Sequence, residues 1–266
     1  MKHIAFFITH KTLTEYHCDL TFLSLSKQSK KHTFDKLYIY NTHKDELSNE
    51  TIMTLYTKYN LSDLFIDVAI FDYNEASHKS LGQDVTNIKE YCRIHYDIND
   101  RILLLKSDCL LSKHFFDEVF TLSPTIPIYF TAPFICAKKR VEDSEIVSYI
   151  DRETFVRSDE ITFFVEDRHG SPNNDFTHRK GTNVTDYSIK FTSCYVICDF
   201  SCHLITNSLF DLLKIQNQTW GGVNLSGLVP YFVETNRCFV VHKYHNIKSE
   251  NRSSDREGPV EMWLLS

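Results

Sequence analysis

Asp100-Arg101-Ile102-Leu103-Leu104-Leu105-Lys106-Ser107-Asp108-Cys109-Leu110-Leu111-Ser112 joins an apolar run to a carboxylate. The run Ile102 to Leu105 shows no polar alternation, which predicts a strand buried on both faces, as in a parallel sheet covered by helices. Such a strand delivers Asp108 to its carboxyl end, where open α/β sheets bind ligands. The chain upstream agrees. Short β-rich runs at residues 4–9, 37–41, 64–71 and 101–105 alternate with helical spacing over residues 16–28, 49–59 and 82–95. That alternation predicts an α/β, Rossmann-like, mostly parallel sheet flanked by helices.

Residues just beyond each predicted strand face the ligand crevice of such a sheet. They are Thr9-His10-Lys11, Asn41-Thr42, Asp72-Tyr73 and Lys106-Ser107-Asp108. Downstream, the pattern predicts a short helix over 113–120, a strand near 127–136 punctuated by Pro127 and Pro133, a strand over 188–198 and a helix over 201–215. Residues 137–186 are charged and irregular, with the turn-rich Gly170-Ser171-Pro172-Asn173-Asn174-Asp175, and read as an insertion or lid. No internal repeat or interdomain linker is visible. The expectation is one domain over 1–266, with a nucleotide-side half (1–115) and an acceptor-side half (116–266) that ends in a loop at 242–259.

Composition narrows the function classes. The 266 residues are 42% hydrophobic and 24% charged, a globular profile with enough chain for a sizeable core. A net charge of −6 argues against a general nucleic-acid binder, whose affinity rests on cation–phosphate contacts. No apolar run approaches the roughly 20 residues of a membrane-spanning helix, and the opening stretch is too short for a signal-peptide core. Cytoplasmic residence is the expectation. The eight cysteines form no Cys-x-x-Cys pair and read as reduced, mostly buried thiols. Gly-x-Gly-x-x-Gly, Gly-x-x-x-x-Gly-Lys-Ser/Thr, His-Glu-x-x-His and Gly-x-Ser-x-Gly are all missing, so dinucleotide oxidoreductases, P-loop enzymes, zincins and α/β-hydrolases lose ground.

With Lys106-Ser107-Asp108 at the end of a buried strand, the chain resembles nucleotide-sugar glycosyltransferases of the GT-A fold. In that family the strand ends in Asp-x-Asp, which holds Mn²⁺ or Mg²⁺ against the donor diphosphate. Here Lys106 stands at the first position. If the strand alternation continues, Lys106 and Asp108 share a face, which either weakens metal binding or lets the ammonium take over part of the phosphate charge. Thr219-Trp220-Gly221-Gly222-Val223-Asn224 resembles the Trp-Gly-Gly-Glu-Asp acceptor turn of β-1,4-galactosyltransferase-like enzymes, with Val223 and Asn224 in place of the acidic pair. The resemblance assigns Trp220, Gly221, Gly222 and Asn224 to the acceptor side.

Phe239-Val240-Val241-His242-Lys243-Tyr244-His245 resembles the strand from which these enzymes supply a metal-binding imidazole before a loop that closes over the diphosphate. Neutral imidazole suits Mn²⁺-like ions. His242 and His245 cannot share a strand face, so one ligand is expected, His245 ahead of His242. Lys248, Asn251, Arg252 and Arg256 form the expected diphosphate clamp, since Arg offers a bidentate fork to phosphate. The resemblance also implies nucleotide contacts from Thr9, His10, Asn41, Asp72, Asn87, Lys89, Lys106 and Ser107.

The resulting expectation is a glycosyltransferase that moves a sugar from a UDP- or GDP-sugar to a glycan or glycoconjugate, assisted by Mn²⁺ or Mg²⁺. No catalytic base is placed: Val223 and Asn224 cannot deprotonate a hydroxyl, Glu153, Asp175 and Asp186 are open choices, and a retaining reaction need not use a base at that turn. Two rivals stand beside it. One is a nucleotidyltransferase, for which the Gly-rich basic loop after Ile8 is missing; the other is a glycosyltransferase-like carbohydrate-binding or scaffold module without turnover.

Overall fold

A computed structural model describes residues 1–9, 15–72, 81–107, 109–121, 129–131, 134–137, 147–148, 150–151, 164–166, 188–190, 202–215, 223–224, 232–234 and 240–242. Its first half follows the expected alternation: β1 (His3–Ile8), α1 (Glu15–Ser26), β2 (Phe34–Tyr40), α2 (Asn49–Lys58), β3 (Phe65–Ile70), α3 (Leu81–His95) and β4 (Arg101–Lys106). Then come β5 (Cys109–Leu111), α4 (Phe115–Thr121), β6 (Tyr129–Thr131), β7 (Phe134–Ala137), β8 (Phe164–Glu166) and β9 (Ser188–Lys190). The described chain closes with β10 (Cys202–Thr206), α5 (Asn207–Leu212), β11 (Lys214–Ile215), β12 (Val223–Asn224), β13 (Phe232–Glu234) and β14 (Val240–His242).

Strand alternation builds the two layers of the core. Ala5 and Phe7 of β1, Leu37 and Ile39 of β2, and Leu103 and Leu105 of β4 pack with Cys18, Phe22 and Leu25 of α1, Ile52 and Leu55 of α2, and Phe115 and Phe116 of α4. Ile4, Phe6 and Ile8, Tyr38 and Tyr40, and Ile102 and Leu104 face the other way, against Val85, Ile88 and Cys92 of α3 and Leu209 and Phe210 of α5. With helices on both faces, β1 and β4 are buried along their whole length, and this is the physical origin of their unbroken apolar sequences, whereas β3 at the sheet edge exposes Ile66 and Asp67.

The main sheet has eight strands in the order β3-β2-β1-β4-β10-β6-β13-β9. The strands β3, β2, β1 and β4 are mutually parallel, with Ile8 opposite Tyr40 on one side and Lys106 on the other. Beyond β4, β10 runs antiparallel, pairing Cys202 with Leu105 and Thr206 with Arg101. The order turns back after β3, so the crevice at the carboxyl ends of β1 and β4 is the topological switch point. A smaller sheet, β5-β14-β7-β8, lies at that end of the chain path.

Two sequence expectations change. The segment read as one helix over 201–215 opens instead as β10 and becomes helical only at Asn207. Cys202-His203-Leu204-Ile205-Thr206 is a short apolar run, for which periodicity does not separate strand from helix, and the pairing edge of β4 decides it. The strand expected over 127–136 is two strands in different sheets, broken at Ala132-Pro133. Within the segment read as an insertion or lid, β8 pairs with β7, Ile150 is buried and accepts from Lys113 N at 3.1 Å, and Asp151 pairs with Lys27 at 2.9 Å.

Local chemistry sets the helix ends. Ser48 caps α2, its Oγ accepting from Thr51 N at 3.0 Å. Asn60, after α2, adopts a left-handed φ of 50°, which asparagine tolerates better than other side chains with a Cβ. Asn207 Nδ2 donates to the carbonyls of Cys92, Tyr96 and Asp97, collecting the orphan acceptors at the end of α3. Tyr38 joins β2 to α3 through Tyr91 and Tyr96, hydroxyl to hydroxyl at 2.9 and 2.8 Å. Burial, then the bond to Tyr38, pushes the phenols of Tyr91 on α3 and Tyr96 just past its end above their ordinary pKa, so they stay neutral anchors. Cys18, Cys92 and Cys109 are buried free thiols, and burial raises the Cys92 thiol well above its ordinary value. No described helix is long and apolar enough to cross a membrane.

Candidate functional site

The site is built around a corner. The strand β4 stops at Lys106, Ser107 turns, and β5 resumes at Cys109 in the smaller sheet, leaving Ser107 and Asp108 between the two strands. Asp108, the other residue expected on the face of Lys106, lies outside the described residues. Lys106 itself is buried opposite Ile8, on the side of the sheet that carries Ile102 and Leu104.

Both neighbours of Asp108 are held. Ser107 N donates to Ile8 O at 3.0 Å, tying the corner to the end of β1, and Ser107 O accepts from Thr21 Oγ1 at 2.6 Å. The Ser107 hydroxyl is fully buried and has no hydrogen-bond partner among the described residues. On the far side, β5 pairs antiparallel with β14, with Cys109 opposite His242, Leu110 opposite Val241 and Leu111 opposite Val240. The topology thus brings the end of β14, which leads toward His245, beside the Asp108 corner.

At the ends of β1 and β2, Thr9 and Asn41 form a clasp. Thr9 Oγ1 donates to Asn41 Oδ1 at 3.0 Å and accepts from Thr42 N at 2.9 Å. Asn41 Oδ1 also accepts from His43 N at 3.1 Å, while Nδ2 donates to Leu47 O at 2.6 Å and Asn49 Oδ1 at 2.9 Å. An amide side chain has two donor and two acceptor positions, and all four are occupied within the protein. Their engagement fixes the rim of the crevice.

The other expected nucleotide contacts are spread out. Asp72 is exposed beyond β3 and pairs with Lys44 at 3.0 Å. Asn87 is buried on α3, donating to the Tyr40 hydroxyl at 3.2 Å and accepting from Gln83 Nε2 at 2.9 Å. Lys89 donates to Leu213 O at 3.0 Å and to Asp211 O at 3.3 Å, so its ammonium is engaged at the end of α5. Asn224 lies in β12, opposite Lys214 of β11. His10, Asp108, Trp220, Gly221, Gly222, His245, Lys248, Asn251, Arg252 and Arg256 lie outside the described residues, as do Glu153, Asp175 and Asp186.

Two features of the site escaped the sequence reading. Asp84, in the first turn of α3 and one turn before Asn87, is a buried carboxylate at the same end of the sheet. Thr21 and Ser24 on the buried face of α1, and Gln28 just beyond its end, reach toward β5; their signal was polar residues at helical spacing inside an otherwise apolar segment. Among the described residues no three His, Cys, Asp or Glu side chains gather as a metal site.

The class of protein defined at this point is a single-domain α/β fold of the GT-A arrangement. No protein-family model matches the chain, and no curated protein matches it. Among solved structures it is similar to GalNAc-T7, in a crystal structure with UDP, GalNAc and Mn²⁺. The two share 12% identity at a TM-score of 0.52, over 95% of this chain and 46% of that one. It is also similar to S. aureus TarS residues 1–349 in complex with UDP-GlcNAc, at 10% identity and a TM-score of 0.46, over 96% of this chain and 62% of that one. The chain therefore spans about half the length of the first of these structures.

Proposed function

We propose that this chain is a glycosyltransferase that takes a sugar from a UDP- or GDP-sugar to a glycan or glycoconjugate, with Mn²⁺ or Mg²⁺ at the donor diphosphate. The observation that carries this reading is the pairing of β14 with β5, which sets His242 opposite Cys109 at the corner that contains Asp108. That register places residue 242 of β14 beside residue 109, the next in sequence after Asp108. The chemistry of a carboxylate and an imidazole fits the ion: carboxylate oxygen with neutral imidazole suits Mn²⁺, and such ions take one or two protein carboxylates plus substrate phosphates. The buried, unpartnered Ser107 hydroxyl beside Asp108 adds an oxygen donor at the same corner.

In this reading Asp108 and His245, with His242 as the second candidate, hold the ion. The metal would offset charge on the departing nucleoside diphosphate. Lys248, Asn251, Arg252 and Arg256 grip the diphosphate, Lys106 adds a buried positive charge beside it, and His10 and Asp72 lie on the nucleotide side. Trp220, Gly221, Gly222 and Asn224 form the acceptor side. The similarity to GalNAc-T7 supports the fold on which the assignment rests.

Buried Lys106 at the first position of the motif favours one rival, a carbohydrate-binding module that retains the fold without turnover. A panel of UDP- and GDP-sugars, scored for Mn²⁺-dependent thermal stabilisation and slow donor hydrolysis, separates the two. A transferase is stabilised by one donor only with metal and hydrolyses it, and Asp108→Ala abolishes both effects. Absence of stabilisation by every nucleotide sugar, with and without metal, sinks the proposal and leaves the binding module.

A further inference from the structure

The main sheet ends at β3, which among the described residues has a strand on one side only, β2. Phe71 N donates to Ile39 O at 2.9 Å just past the end of β3. Main-chain groups of alternate residues point to the same side of a strand, so Ala69 and Asp67 also face β2. The N–H and C=O of Val68 and Ile70 therefore point off the sheet, where they form a template for a further strand.

Proteins that keep such an edge single blunt it with lysine, proline or unpaired charge. In Phe65-Ile66-Asp67-Val68-Ala69-Ile70 the only charge is Asp67. Its carboxylate pairs with Lys36 of β2 at 2.7 Å, and that bond holds its carboxyl below the ordinary value. The edge is thus neutral as a whole. It is also apolar: Ile66, 71% exposed, is the most exposed large hydrophobic side chain among the described residues, and Val68, Ala69 and Ile70 are half-buried.

We propose that the β3 edge is a self-association surface, on which a second copy of this chain pairs its own β3 antiparallel about a two-fold axis through Val68. Two requirements select that register. A two-fold axis through Asp67 would set like charges directly opposite each other, which is destabilising, and would centre the pairing on main-chain groups already used by β2. With the axis through Val68, outward-pointing groups meet outward-pointing groups. Val68 then lies opposite its own copy, Ile66 opposite Ile70 of the second copy, and Asp67 opposite Ala69 of the second copy, so apolar residues pair and the carboxylates stay apart. The contact is isologous and joins the two main sheets into one. Antiparallel pairing also points the carboxyl-end crevices of the two copies in opposite directions. A single short strand buries less than the roughly 800 Å² per partner of a standard stable interface, so the dimer forms in a concentration-dependent way. The proposal stands independently of the reaction assigned to the crevice.

Sedimentation velocity over a wide range of protein concentration tests this, with the wild-type chain expected to shift from monomer toward dimer. Val68→Pro removes an outward N–H without touching the β2 ladder, and proline is tolerated on an edge strand. Ile66→Lys changes an exposed side chain and sets a cation opposite Ile70 of the second copy. Both variants are expected to lose the concentration dependence and stay monomeric, with circular dichroism and melting temperature confirming the fold. Ile66→Lys decides the matter alone if Val68→Pro does not fold. Ile98→Lys is the control, at an isoleucine beyond α3 that is 68% exposed and off the edge, and it is expected to dimerise as wild type does. A folded Ile66→Lys that still dimerises, or an equal loss in Ile98→Lys, overturns the proposal by placing the contact on another face. A wild-type chain that stays monomeric while Asp67→Asn dimerises overturns it too, and gives Asp67 the opposite role of keeping the edge closed. A wild-type chain monomeric at every concentration, with no variant that dimerises, removes self-association altogether.

Discussion

Asn41→Ala tests whether the crevice rim is a structural clasp or a ligand contact. The side chain is 5% exposed and makes four hydrogen bonds, to Thr9 Oγ1, His43 N, Leu47 O and Asn49 Oδ1. After truncation the Thr9 hydroxyl still accepts from Thr42 N, and Asn49 is only half-buried, so water can replace those two bonds. Leu47 O, on a buried residue, and His43 N, on a half-buried one, lose their side-chain partner. At roughly 1–3 kcal/mol for a buried group left unpaired, and the low end for the half-buried one, the variant should lose about 2–4 kcal/mol of stability. Equilibrium unfolding in urea measures this, with an unchanged slope as the check that the unfolded state is the same. Because Thr9 and Asn41 share a bond, the losses in Thr9→Val and Asn41→Ala should be non-additive by about 1 kcal/mol in the double variant. A loss below about 1 kcal/mol, accompanied by a large drop in affinity for UDP with Mn²⁺, would refute the clasp and return the amide to the ligand.

The remaining expectations concern other parts of the fold. His3 is held at about 4, chiefly by burial and then by the neighbouring Arg101 cation, against the opposing carboxylates of Asp35 and Asp100. With the folded value depressed below the unfolded 6.5, its contribution is present above pH 6.5 and is lost as pH falls toward 4, by up to about 3 kcal/mol. Unfolding followed across that window should show this slope in wild type and a flatter one in His3→Phe; equal slopes would exclude His3 as the source. Ser48→Ala, which uncaps α2, should cost about 1 kcal/mol in urea unfolding, and a neutral result would mean that the cap bond to Thr51 contributes little. His245→Ala should weaken Mn²⁺-dependent donor stabilisation more than His242→Ala, and the reverse order would move the ligand to the earlier imidazole.

Much of this architecture was legible along the chain because the central strands β1 and β4 are covered on both faces. Full burial writes itself as runs such as Ile102-Leu103-Leu104-Leu105, and each covering helix writes a 3.6-residue period between them. The ends of those runs are where the sequence leads one to expect the ligand crevice, at Lys106-Ser107-Asp108. Legibility falls where an element depends on a distant partner. Cys202–Thr206 reads as helix until the free edge of β4 pairs with it, and the run near Pro133 reads as one strand until its two halves join different sheets.

For the site, the sequence by itself determined the chemical inventory: a lone carboxylate after a lysine at a strand end, a pair of histidines after a later strand, and a basic segment beyond. Only the tertiary structure decided proximity. Cys109 and His242 are 133 positions apart and face each other because β5 and β14 pair antiparallel. The same is true of the Thr21 hydroxyl on the Ser107 carbonyl, 86 positions away. It decided, too, that Asn41 and Lys89 are engaged inside the protein. A side chain's type limits which bonds it can make, while long-range pairing chooses its partner, and a linear pattern records the first of these far better than the second.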